Sequence, residues 1–174
     1  MNRITALSRR TVWRIVTIVG SVLLLGAAVA GVSSAATTGH NGTSITRVGV
    51  LTQDTASVFT STTFTTVESY SVFAAAGQNI IARYTAESAC AGPSSGWCTV
   101  RILIDGFEAD PAVGIDYAYD GAGASNSWES HSVERVRAVT TTGTHTAVVQ
   151  VAVVNGATSD RLDDSTLVLE AVAQ

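Results

Sequence analysis

From residue 45 to the C-terminus, no segment sustains a helical repeat over three turns. Apolar and polar residues alternate instead, in short runs broken by Gly, Ser, Thr and Asp. The runs are 46–51, 56–59, 63–68, 71–75, 79–86, 98–105, 115–119, 130–139, 144–154 and 165–172. Alternation of this kind builds half-buried strands, and many short strands joined by turns make an antiparallel sandwich. Charged residues form only 14% of the chain, and Thr, Ser, Val, Ala and Gly fill the gap. That mixture favours strands over helices. The expected fold is all-β: one antiparallel β-sandwich over 45–174, with a jelly roll as its arrangement, after an N-terminal signal or anchor helix. There is no internal repeat and no sign of a second domain.

The sharpest local expectation lies between Ile80 and Ile104. Ile80, Ala82, Tyr84 and Ala86 share one strand face, and Val100, Ile102 and Ile104 share another. Cys90 is in phase with the first set and Cys98 with the second. A hairpin with Cys90 opposite Cys98 would also oppose Ser88 to Val100, Ala86 to Ile102 and Tyr84 to Ile104. Directly opposed strand residues have the Cα spacing that a disulfide needs. Closing so short a loop is worth about 2.5 kcal/mol on chain-entropy grounds. A second hairpin is expected around Thr140-Thr141-Thr142-Gly143. The run 144–154 is apolar on both faces, which predicts a central strand between two covered faces. The last run, with Leu167, Leu169 and Ala171 on one face, is expected inside a sheet.

The N-terminus reads differently. Arg3, Arg9, Arg10 and Arg14 precede an apolar run from Ile15 to Val32, then Ser33-Ser34-Ala35-Ala36. This is the pattern of an export signal. Residues 1–36 are either cleaved after Ala35 or Ala36, or retained as a membrane anchor. The run is at the lower length limit for spanning hydrocarbon, and its glycines weaken it as a permanent helix. Ser8-Arg9-Arg10-Thr11-Val12-Trp13 partly matches a twin-arginine motif, although the run Val22-Leu23-Leu24-Leu25 suits the general secretory route better. Residues 37–44 are polar and read as a flexible linker. The expected location is therefore secreted or extracytoplasmic, where two cysteines default to a disulfide.

Four of the ten arginines lie in the signal segment, and the chain has no lysine. Residues 37–174 thus hold six arginines against fourteen acids. Such a balance disfavours nucleic acid and anionic lipid as partners, since phosphates would be repelled.

Candidate chemistry is sparse. No serine sits in Gly-x-Ser-x-Gly, and no pair of carboxylates is nominated for glycoside hydrolysis, so no catalytic residue is assigned. In the hairpin geometry, His131 and His145 would be roughly 20 Å apart and could not share a metal. Three acidic groups stand out: Asp105 to Asp110, Asp116 with Asp120, and Asp160 with Asp163 and Asp164. The last is the calcium candidate, since that hard cation takes six to eight oxygens. No other cofactor is expected. Trp97, Tyr117, Tyr119 and Trp128 are the candidate ligand aromatics. Flat sugar faces stack on such rings, while sandwiches also need them to fill their ends.

Val100-Arg101-Ile102-Leu103-Ile104-Asp105-Gly106, followed by Thr142-Gly143-Thr144-His145-Thr146-Ala147-Val148-Val149-Gln150-Val151, resembles segments of secreted bacterial jelly-roll-like β-sandwich domains of actinobacterial type. The similarity covers roughly 79–172. It implies an exported sandwich and brings no activity or site residue with it. The functional expectation is a non-enzymatic extracytoplasmic binding or surface-interaction module. The alternatives are a carbohydrate-binding domain and a subunit of a jelly-roll homo-oligomer. The expected partner is an extracellular glycan or protein, with membrane contact only through 15–32 if uncleaved.

Overall fold

The computed structural model describes residues 39–123 and 127–174. The signal or anchor segment 1–36 lies outside them, as does Ala124 of the glycine-rich stretch before Trp128. Among the described residues, alternation yields ten strands: β1 (Ser44–Gln53), β2 (Ser57–Phe59), β3 (Thr65–Ala74), β4 (Asn79–Ala91), β5 (Trp97–Ile104), β6 (Phe107–Glu108), β7 (Asp120–Gly121), β8 (Glu129–Ala138), β9 (Gly143–Val154) and β10 (Ser159–Ala173). The expected runs 63–68 and 71–75 are one strand, β3. The run 115–119 is not a strand: Gly114–Asp116 is a turn of 3-10 helix, entered through Gly114 at a φ of 56°. No helix among the described residues is long and apolar enough to cross a membrane.

The strands form two antiparallel sheets. One has the order β1-β10-β4-β8, with β2 also on β10; the other has β3-β9-β5-β6, with β7 also on β5. First pairs with last throughout: β1 with β10, β3 with β9, β4 with β8 and β5 with β6. That nested pairing is a jelly roll. β9 lies between β3 and β5, and β10 between β1 and β4, so both are central strands as expected.

The inner faces interdigitate as the core. Ile80, Ala82, Tyr84 and Ala86 of β4 meet Val100, Ile102 and Ile104 of β5 there, with Ala147, Val149 and Val151 of β9 and Leu167, Leu169 and Ala171 of β10. The outer face of β9 is less covered than its composition suggested. Val148 and Gln150 are half-buried, the latter under Arg101, whose Nη2 donates to Gln150 Oε1 at 2.7 Å.

The two expected hairpins do not form. β4 and β5 belong to different sheets, as do β8 and β9. The expected register of Tyr84 with Ile104 and Ala86 with Ile102 is therefore wrong. Tyr84 pairs with Leu167 and Val133, and Ile102 with Val149. The reason is geometric. Two inward faces of a sandwich share the same apolar phase as two strands paired in one sheet, so phase cannot separate these cases. The disulfide itself is present: Cys90 and Cys98 are bonded, with their Cα atoms 5.8 Å apart. Facing sheets normally stand about 10 Å apart. The bond therefore joins β4 to β5 where the two layers pinch together.

The loop it closes rests on the turn between β9 and β10. A Cβ on Gly92 would come within 2.7 Å of Ala157 Cα, and one on Gly96 within 2.7 Å of Ala157 N. Both positions need glycine because backbone meets backbone. The segment read as a linker is docked from His40 onward. Asn79 Nδ2 donates to Asn41 O at 2.8 Å, and His40 Nε2 lies 3.1 Å from Asp110 Oδ2.

Candidate functional site

The polar groups that converge do so at the disulfide end of the sandwich. β8 pairs with β4 only as far as Glu129 opposite Ser88, so the Cys90 amide beyond it needs another acceptor. Asp120 of the short strand β7 supplies it. Its Oδ2 accepts from Cys90 N at 3.0 Å and from Ser88 Oγ at 2.9 Å. A cleft of about 260 Å³ opens beside these groups, lined by Cys90, Asp120, Gly121, Ser127, Glu129 and His131. His131 Nδ1 lies 2.8 Å from Tyr119 O. A carbonyl only accepts, so that nitrogen carries the proton. The other, Nε2, faces Glu129 Oε2 at 3.5 Å.

Behind the cleft, Asp160 occupies the inward face of β10 opposite Cys90 and is wholly buried. Neither of its carboxyl oxygens has a hydrogen-bond partner among the described residues. Burial, with a smaller contribution from the charge of Asp120, pushes its pKa up to about 7. Sequence alternation could have found this group. Asp160 is in phase with Leu162, Leu162 is core, and an inward acid is unusual enough to flag.

The calcium candidates are not brought together. Asp160 points inward, Asp163 lies on the opposite face, and Asp164 sits at a φ of 45° in the bulge that follows. Alternation along one strand separates Asp160 from Asp163, and the bulge turns Asp164 away. Among the described residues, no three His, Cys, Asp or Glu side chains are grouped to hold a metal ion. The two histidines sit in different sheets with different partners. His145 Nδ1 lies 2.6 Å from Asp105 Oδ2, tying β9 to the turn after β5. Asp105 Oδ1 also accepts from Thr146 N at 3.0 Å. Burial, the largest single influence, raises the Asp105 carboxyl. The bonds from His145 and Thr146, with the charges of His145 and Arg137, outweigh it and hold the group below its ordinary value.

The four candidate rings do not form one platform. Tyr119 is a core residue: its hydroxyl donates to His131 O at 2.8 Å and accepts from Ala86 N at 3.1 Å. Burial, aided by Tyr84, raises its pKa. Contrary to the expectation of a ligand ring, Tyr119 is a buried strut between β4 and β8. Tyr117 packs on the core and carries the Arg135 guanidinium 4.6 Å above its ring. Trp97 is half-buried, with Nε1 donating to Ile115 O at 3.0 Å. Trp128 is 38% exposed and stacks under Arg161 at 4.6 Å. It falls between Ser127 and Glu129, both of which line the cleft, but its ring lies against Arg161.

A different surface went unnoticed in the sequence. Ile45, Val48 and Val50 of β1 and Val58 of β2 are each at least half exposed. A bulge between Ile45 and Arg47 resets the alternation, so Ile45 shares the outer face with Val48 and Val50. Across the sheet, Val48 is followed by Glu170, Ile81 and Val136, and Val50 by Val168, Arg83 and Glu134. The only signal was the run Ile45 to Leu51 itself, which does not say which neighbour would cover it.

Fold and surface together define the class: an all-β jelly-roll sandwich with one inter-sheet disulfide. No family model matches the chain, and no curated protein does. Solved structures with a similar fold include a chain from infectious bursal disease virus, Gx strain. It is 15% identical over 74% of this chain and 33% of that chain, with a TM-score of 0.44. A chain of the cyanophage Pam1 capsid asymmetric unit is 17% identical over 85% of this chain and 99% of that one, with a TM-score of 0.31. The chain thus matches a third of the length of the first. The jelly-roll assignment rests on the strand order rather than on either likeness.

Proposed function

We propose that this protein is an exported, non-enzymatic extracytoplasmic module that works by surface contact, through the outer face of the β1-β10-β4-β8 sheet. One observation carries the reading: Ile45, Val48, Val50 and Val58 stand at least half exposed on one side of the domain. Apolar side chains grouped on a flat face, rather than lining a deep pocket, suit a macromolecular partner. The export part is supported by residues 1–36 and by a disulfide, which persists in an oxidising compartment. The balance of six arginines against fourteen acids in 37–174 supports a partner other than nucleic acid.

Hydroxyl-radical footprinting tests this directly. The full chain is labelled on producing cells and as dilute purified protein. Val48, Val50, Val58 and Ile81 are expected to be protected on cells; equal labelling in both states would overturn the reading. A carbohydrate-binding reading retains one supporting observation, the exposed Trp128 ring. A glycan array with the Trp128→Ala variant decides it, since binding that survives the substitution does not use that ring.

A further inference from the structure

The two long edges of this sandwich are treated differently. On one side, β8 is bridged at one point by the Asp110–Val136 pair, and the outer edge of β5 is paired with β6 and β7. On the other side, β1 ends one sheet and β3 the other, and no strand pairs along the outer edge of either among the described residues; of the two, β1 carries the exposed valines. β1 is ten residues long and is lightly protected for an edge: it has no proline and no lysine, one charge, Arg47, and one bulge near its start. Its outward side chains Val48 and Val50 are 57% and 50% exposed. A row of free backbone donors and acceptors flanked by exposed valines is chemically suited to another strand.

We propose that the strand it takes is β1 of a second copy of this chain, antiparallel, with a two-fold axis through Gly49. This deepens the surface-contact reading and rests on it. The choice of partner comes from the sequence of the edge itself. An antiparallel pair that keeps both outer faces on one side must be centred on a residue, because a half-step would set inward side chains against outward ones. Centring on Arg47 would put the two guanidinium groups directly opposite each other, which is unfavourable. Centring on Val48 or Val50 leaves the remaining valine of each copy opposite Thr46 or Thr52. Centring on Gly49 places Val48 opposite Val50 of the second copy, twice over, and sets each Arg47 opposite Leu51. That register is self-complementary, as a two-fold interface must be. The bulge at Ile45/Arg47 ends the regular pairing at Arg47, so the shared ladder runs over residues 47–51. The product is one continuous sheet of order β8-β4-β10-β1-β1-β10-β4-β8, with the valines on its outer face.

Sedimentation equilibrium of the full chain in density-matched detergent tests this, with thermal melts confirming that each variant is folded. The wild type is expected to show a concentration-dependent dimer. Val48→Glu with Val50→Glu sets like charges opposite each other at two symmetric places and is expected to weaken the dimer at least ~10-fold. Val48→Glu with Val50→Lys sets opposite charges at the same two places and is expected to restore it. A monomeric wild type, or a dimer indifferent to the double glutamate, overturns the proposal. Loss in both variants overturns the Gly49 register, and Val50→Thr replaces either that fails to fold. A monomer whose outer face is still protected on cells would separate failure of the self-pairing from failure of the surface reading.

Discussion

The interior of this sandwich is built in two ways. Through the middle and towards one end, β4, β5, β9 and β10 bring Ile80, Ile102, Ile104, Val149, Leu167 and Leu169 together in a mainly apolar core, where the buried polar groups include the Tyr84 hydroxyl and Ser165, which donates to Glu68 Oε2 at 3.3 Å. At the other end, the same strands bring in Ser88, Cys90, Cys98 and Asp160, and β7 adds Asp120. The first region is held by exclusion of water, which needs only shape and volume. The second packs two buried carboxyl groups close together and cannot be held that way. There the layers are tied by a covalent bond and by a carboxylate that satisfies the frayed edge of β4. A strand order fixed by a mainly apolar centre thus leaves one end free to hold a cluster of polar groups.

The contrast is most easily broken with protons. Asp160 is buried beside Asp120, Tyr84 and Tyr119, and its pKa is pushed up to about 7, mainly by burial. An unfolded aspartate releases its proton near 4. Between these values, the folded state holds a proton that the unfolded state has lost. Stability is therefore greatest below about pH 4 and falls as pH rises towards 7. The full swing is at most about 4 kcal/mol by linkage. Urea unfolding at pH 5 and pH 8 should show the wild type less stable at pH 8, and Asp160→Asn should remove most of the difference. A wild type equally stable at both values would mean that Asp160 is not buried as a neutral acid.

The apolar middle should respond to volume instead of pH. Ile102→Ala removes atoms from a fully buried position and should cost about 3 kcal/mol at either pH. A loss confined to one pH would mean that the two regions are not separable. A smaller effect is expected at the disulfide. Reducing Cys90–Cys98 should cost about 2.5 kcal/mol, from the loop it closes. Because the bond joins the two layers, hydrogen exchange should accelerate first at the ends of β4 and β5, while Ile80 and Ile104 stay protected. Uniform acceleration would show that the bond supports the whole core rather than one end.

Much of this fold is legible in the sequence because alternation has a local cause. Nine of the ten expected runs coincide with strands or parts of strands, and Cys90 with Cys98 is recognisable as a pair from phase and spacing. The run 115–119 misled because Tyr117 and Tyr119 alternate as a strand would, although Gly114 starts a turn and Tyr119 is fixed by β4 and β8. The carboxylates were visible as residues but not as a site. Asp120 and Asp160 are forty residues apart in the chain, and they become neighbours only because β7 and β10 both meet β4 at Cys90.

By itself, then, the sequence determined an all-β chain, its main strands and its cysteine bond, because period, composition and phase act over a few residues. It could not say which strands share a sheet. An apolar face looks the same whether it meets a neighbour beside it or a layer opposite, and the paired cysteines fit both. The tertiary structure decided that β4 and β5 face each other across the core, and that β1 keeps an open edge. It also placed two acids beside the bond that joins the layers.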